Sequence, residues 1–91
     1  MILKTSTDKT YVISSDSSEF AFVLRVRGDE LVKTSQFISN LTDEELSTYT
    51  LSDLDGDRTF ADGHFSSMTL NAEGSRYKAV YYIVHRKGES V

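Results

Sequence analysis

Cysteine is absent from this chain of 91 residues, which excludes a disulfide framework, a thiolate metal site and a thiol nucleophile. A reducing compartment, the cytoplasm or the cytoplasm of a host cell, is therefore the expected location. Proline is absent as well, although ordinary usage would supply about four or five; proline-rich linkers and PxxP ligand segments go with it. Long apolar runs are also missing. The longest, Ala79 to Val84, has the length of a strand, far short of the roughly 18 residues that cross a membrane. The N-terminus, Met1-Ile2-Leu3-Lys4-Thr5, lacks the apolar stretch of an export signal. That argues against the Arg27-Gly28-Asp29 and Asn40-Leu41-Thr42 tripeptides acting as extracellular motifs. No G-x-S-x-G, Walker or dinucleotide-binding glycine pattern occurs. Neither an enzyme, with catalytic residues, nor a bound cofactor is expected.

What is present describes one small globular domain spanning residues 1–91. Apolar residues make up 38% of the chain, enough for a single core but too few residues in all for two. Phe20, Phe22, Leu24 and Val26 alternate with Glu19, Ala21, Val23, Arg25 and Arg27, the period of a strand with one apolar face. Tyr11 to Ser14 alternates more weakly, and Ser15 to Ser18 has turn composition, so a hairpin is expected there. Gly28-Asp29 then serves as a turn into a third strand over Glu30 to Ile38. Three helix-start features coincide in Leu41-Thr42-Asp43-Glu44-Glu45-Leu46: a capping threonine, a glutamate three residues on, and leucines at the two staple positions. They predict a helix near residues 43–50. Residues 52–63 read as an irregular loop pinned by Leu54 and Phe60. His64 to Leu70 and Arg76 to Arg86 read as a C-terminal hairpin around Asn71 to Ser75. Apolar residues on both faces of the last segment place it inside the sheet. The expected fold is α+β: an antiparallel sheet of about five strands, a β-meander plus the C-terminal hairpin, with the short helix packed on one face.

Charge is unevenly divided. Fourteen acids oppose ten bases, a net of −4, and residues 43–62 hold seven of those acids against Arg58 alone. Asp43 and Glu44 have a structural reason to be acidic, since carboxylates in a first turn suit the positive end of a helix dipole. Asp53, Asp55, Asp57 and Asp62 have none. This segment is the candidate contact with a basic surface of a partner protein, including a nucleic-acid groove that it would block. Asp53, Asp55 and Asp57 also match the first, third and fifth places of a calcium loop. Arg58 stands where that loop needs glycine and His64 where it needs glutamate, so no metal is expected. A nucleic-acid partner is disfavoured by a sequence pI near 5.0, though Arg25 and Arg27 share one strand face and Lys78, Tyr82 and Arg86 another. The expected function is that of a non-enzymatic regulatory or inhibitory protein, in character like the small accessory proteins of phages and mobile elements. The alternative is an assembly subunit that self-associates, as a homodimer for example, through a sheet face or edge. An RNA-binding module is a third reading.

Overall fold

The computed structural model describes residues 1–85, so Arg86 lies outside the described residues. The architecture is α+β, with mostly antiparallel strands and one short helix. Among the described residues, seven strands form two sheets where five in one were expected. β1 (Ile2–Lys4), β2 (Thr10–Val12), β4 (Thr48–Asp53) and β5 (Gly56–Ala61) form one sheet in the order β2-β1-β4-β5. β3 (Ala21–Arg27), β6 (Gly63–Glu73) and β7 (Arg76–His85) form the other, in the order β3-β7-β6. The helix α1 spans Val32–Asn40 and is entered from a 3-10 turn at Gly28–Glu30.

The alternating pattern of residues 20–27 does form a strand, and its apolar face lies inward: Phe22 and Val26 are buried, with Leu24 partly buried against the core. Its expected hairpin with the Tyr11 segment does not form. Those two strands belong to different sheets and share only the bond from Ser14 N–H to the Val23 carbonyl, 2.8 Å. The partner of β3 is β7, whose Ala79, Tyr81 and Ile83 are buried and which runs down the middle of its sheet.

The helix expected at residues 43–50 is absent, and a helix stands where the third strand was expected. Thr42 to Leu46 makes a single turn, in which Leu46 N–H donates to the Thr42 carbonyl at 3.1 Å and Glu45 N–H to Thr42 Oγ1 at 3.4 Å. The start signals are thus satisfied locally. Thr48-Tyr49-Thr50-Leu51-Ser52 then alternates with period two, burying Tyr49 and Leu51, and this inward alternation overrides helix propagation. The Glu45 carboxylate is not engaged in a capping box. It accepts the Thr7 hydroxyl at 2.6 Å and faces Lys9 Nζ at 3.5 Å, so it clamps the β1–β2 loop to the turn.

The Thr5 and Thr7 hydroxyls, with Lys9, hold the Glu45 carboxyl below its usual range. A carboxyl lowered in the folded state contributes stability that is present above the unfolded value, near 4.5. That stability is lost as pH falls through the lower folded value. Thermal midpoints measured in increasingly acid buffer should therefore fall more steeply for the wild type than for Glu45→Gln. Parallel curves would contradict the clamp.

The core gathers Leu3, Leu46, Tyr49 and Leu51 on one side and Phe22, Phe37, Ala79, Tyr81 and Ile83 on the other. Gly63, at the start of β6, lies directly against Tyr49 of the other sheet. A Cβ there would lie 2.9 Å from Tyr49 Cε1 and 3.3 Å from Ile83 Cγ2. Gly63→Ala should cost about 1–3 kcal/mol in urea unfolding, the usual range for overpacking; an unchanged midpoint would mean the two side chains move apart freely.

Candidate functional site

The acidic segment folds into a hairpin that separates its members. β4 and β5 pair antiparallel, with Asp53 opposite Gly56 and Ser52 opposite Asp57. Asp53, Asp55 and Asp57 therefore surround a two-residue turn at Leu54-Asp55, where Gly56 takes the positive φ (120°) that the tight reversal needs. Asp53 Oδ1 accepts the Asp55 N–H at 2.8 Å, and Arg58 approaches Asp53 at only 3.9 Å. Leu54, expected to pin a loop to the core, stands fully exposed at the tip; Phe60 does pack inward, 5.6 Å from the Tyr49 ring.

Asp43, Glu44 and Asp62 lie at the opposite end of the hairpin. The strand from Thr48 to Asp53 places them about 17 Å from the tip, at about 3.4 Å per residue. Asp43 faces His64 Nδ1 at 2.9 Å, close enough for an ion contact but without hydrogen-bond alignment. The Glu44 carbonyl accepts from the Ser6 and Ser47 hydroxyls. Asp62 sits at φ 57° in the link between the two sheets, its N–H donating to the Ser47 carbonyl. The six acids do not form one surface. Among the described residues no three His, Asp or Glu side chains converge in a way that could hold a metal ion.

The four described members of the basic set do share a face. Arg25 lies opposite Lys78, Arg27 opposite Arg76, and Tyr82 follows on the same side of β7. That face is not a free positive surface, however. Arg25 forks onto Asp16 at 2.9 and 3.0 Å and reaches Glu73 at 2.8 Å, and its guanidinium holds the Asp16 carboxyl below the usual range. Arg27 lies near Asp29 and Glu30, at 3.4 and 3.3 Å. Tyr82 remains half exposed.

Sequence reasoning missed the outer edge of β6. Its eleven residues form an edge strand in the order β3-β7-β6, and Ser66 to Glu73 are exposed throughout. A register shift between Phe65 and Ser67 marks a bulge, after which Ser67 to Glu73 pairs regularly with β7. The alternation of the ladder settles which backbone groups are free. Val23 N–H and C=O point away from β7, to Ser17 and Ser14, so even-numbered β3 residues face odd-numbered β7 residues. Even-numbered β7 residues consequently face Ser67, Thr69, Asn71 and Glu73, and the N–H and C=O of Met68, Leu70 and Ala72 point outward. None of these three has a hydrogen-bond partner across that edge among the described residues. Their side chains share the face of Tyr81, Ala79 and Tyr77. There α1 covers Tyr81 but leaves Met68 41% and Leu70 43% exposed.

Folded proteins usually protect such an edge with lysine, proline, a short strand or a covering element. Ser67 to Glu73 has one charge, at its end, and no proline. The spacing of Met68, Leu70 and Ala72 was the available signal. No helix among the described residues is long and apolar enough to cross a membrane. No family model matches the chain, and comparison with curated proteins and with solved structures gives no match.

Proposed function

We propose that the chain is a non-enzymatic protein-binding domain, an assembly or regulatory subunit, that engages its partner by adding a strand to the free edge of β6. The observation that carries this reading is the outward row of unpaired backbone groups at Met68, Leu70 and Ala72, set beside the partly exposed Met68 and Leu70 side chains. Backbone bonds along an open edge supply affinity, and alternate side chains supply selectivity.

A second reading is favoured by the hairpin tip, where Leu54 is exposed among Asp53, Asp55 and Asp57. There the domain docks on a basic partner surface, and blocking a nucleic-acid groove becomes one outcome. Asp43, Glu44 and Asp62 take no part, because the fold carries them to the other end of the strands.

One experiment separates the two. Tagged protein is used to capture partners from nuclease-treated lysate at several salt concentrations, with Leu70→Lys and with Asp53→Asn/Asp55→Asn/Asp57→Asn alongside the wild type. The edge reading expects loss of the captured species with Leu70→Lys and little dependence on salt. Loss with the asparagine variant and with rising salt would transfer the function to the tip.

A further inference from the structure

We infer that the strand which completes the β6 edge is β6 of a second copy of this chain, antiparallel about a two-fold axis through Leu70. This deepens the strand-edge reading above and rests on it.

The register follows from the geometry of one protomer. In a symmetric antiparallel pair, residues whose backbone groups point outward must face one another. The regular segment after the bulge is Ser67 to Glu73, and its midpoint is Leu70, one of the three outward residues. Centring on Leu70 pairs all seven residues: Leu70 with the second copy's Leu70, Met68 with its Ala72, Thr69 with its Asn71, and Ser67 with its Glu73. Centring on Thr69 or Met68 drives the bulge at Ser66 into the ladder. Centring on Asn71 or Ala72 runs past the turn at Gly74-Ser75.

The side chains fit the same register. Met68, Leu70 and Ala72 lie on one face, so the pairing sets leucine against leucine and a long side chain against a short one. It also extends the apolar strip of each copy across the junction. The only charge, Glu73, meets Ser67, and no like charges are apposed. About six backbone hydrogen bonds form, two for each outward pair. The two three-stranded sheets become one of six. Because seven-residue strand pairing is a small interface, the dimer should be concentration-dependent.

Sedimentation velocity across a wide concentration range, with cross-linking by engineered cysteines, tests the inference. The wild-type mass should rise from 10.2 kDa toward twice that value, and Leu70→Lys, a change at an exposed edge position, should stay at the monomer mass. In a non-hydrogen-bonded pair the Cα atoms lie about 4.5 Å apart, within disulfide range. An equimolar mixture of Thr69→Cys and Asn71→Cys chains should therefore oxidise to a mixed disulfide dimer, while neither variant alone should cross-link efficiently. Because the natural chain has no cysteine, nothing else competes. A wild type that stays monomeric at every concentration overturns the second-copy assignment and leaves the capture experiment to judge the edge reading. A dimer that survives Leu70→Lys overturns both. Cross-linking of Thr69→Cys to itself in preference to the mixed pair overturns the register.

Discussion

Replacing Tyr49 by alanine should lower the free energy of unfolding by about 3–5 kcal/mol, the range for deleting a fully buried aromatic ring, whereas Tyr49→Phe should cost only about 0.5–1.5 kcal/mol. The Tyr49 ring lies where the two sheets meet. It stands edge-on to Phe22 at 5.6 Å, tilted against Phe60 at 5.6 Å and stacked with His85 at 5.9 Å. Gly63 leaves the space it fills. Its hydroxyl donates to the Glu19 carbonyl at 2.9 Å, and burial, with the nearby Glu19 charge, pushes the phenol well above its usual range. The alanine variant removes the ring and leaves a cavity; the phenylalanine variant removes only the hydroxyl, with its bond to the Glu19 carbonyl and its 3.0 Å contact with His85 Nε2. A small domain has only about 5–15 kcal/mol to lose, so the first should be close to unfolded at moderate temperature. Similar losses from both variants in urea titrations would mean that the hydroxyl, and not the ring, holds the sheets together.

Phe37→Ala should cost a similar amount, about 3–5 kcal/mol, and should in addition release α1. That helix has nine residues, with Val32, Thr34 and Ile38 β-branched and no side-chain cap at its start. A helix so short is marginal in water by itself. It is held by Phe37, edge-on to Tyr11 at 5.3 Å and tilted against Tyr81 at 5.0 Å. The Tyr81 hydroxyl adds a bond to the Thr34 carbonyl at 2.9 Å. Circular dichroism at 222 nm should lose its helical contribution below the main transition of the variant. A single cooperative transition with native helix content up to the midpoint would show that α1 does not depend on this ring.

The same helix shows why part of the fold was hidden from sequence reading. Residues 30–38 carry β-branched residues and poor caps, so local preference points to a strand; the helix exists because Phe37, Thr34 and Leu41 reach a core assembled from distant segments. Residues 41–46 show the reverse. Their start signals are real, and they yield one turn, but alternation from Thr48 to Ser52 turns the chain into a strand directly after it. β3 was legible because its alternation and its burial agree, and β7 because apolar residues on both faces mark a middle strand. Of the strand order, the β6–β7 hairpin and the middle place of β7 were legible; the remaining neighbours were not, since periodicity reports which face of a strand is buried and not which strand lies beside it. The exposed edge of β6 was missed for that reason. The acidic segment was legible as charge but not as shape: Asp43 and Asp57 are close in sequence and lie at opposite ends of a hairpin.

Amide hydrogen exchange along β6 tests the central claim most directly, because the free edge predicts a pattern that alternates residue by residue. In dilute protein the amides of Thr69 and Asn71, bonded to β7, should exchange slowly, while those of Met68, Leu70 and Ala72 exchange fast. Raising the protein concentration, or adding whatever partner the capture experiment isolates, should slow the second set and leave the first unchanged. Association that leaves Met68, Leu70 and Ala72 exchanging fast would contradict the account.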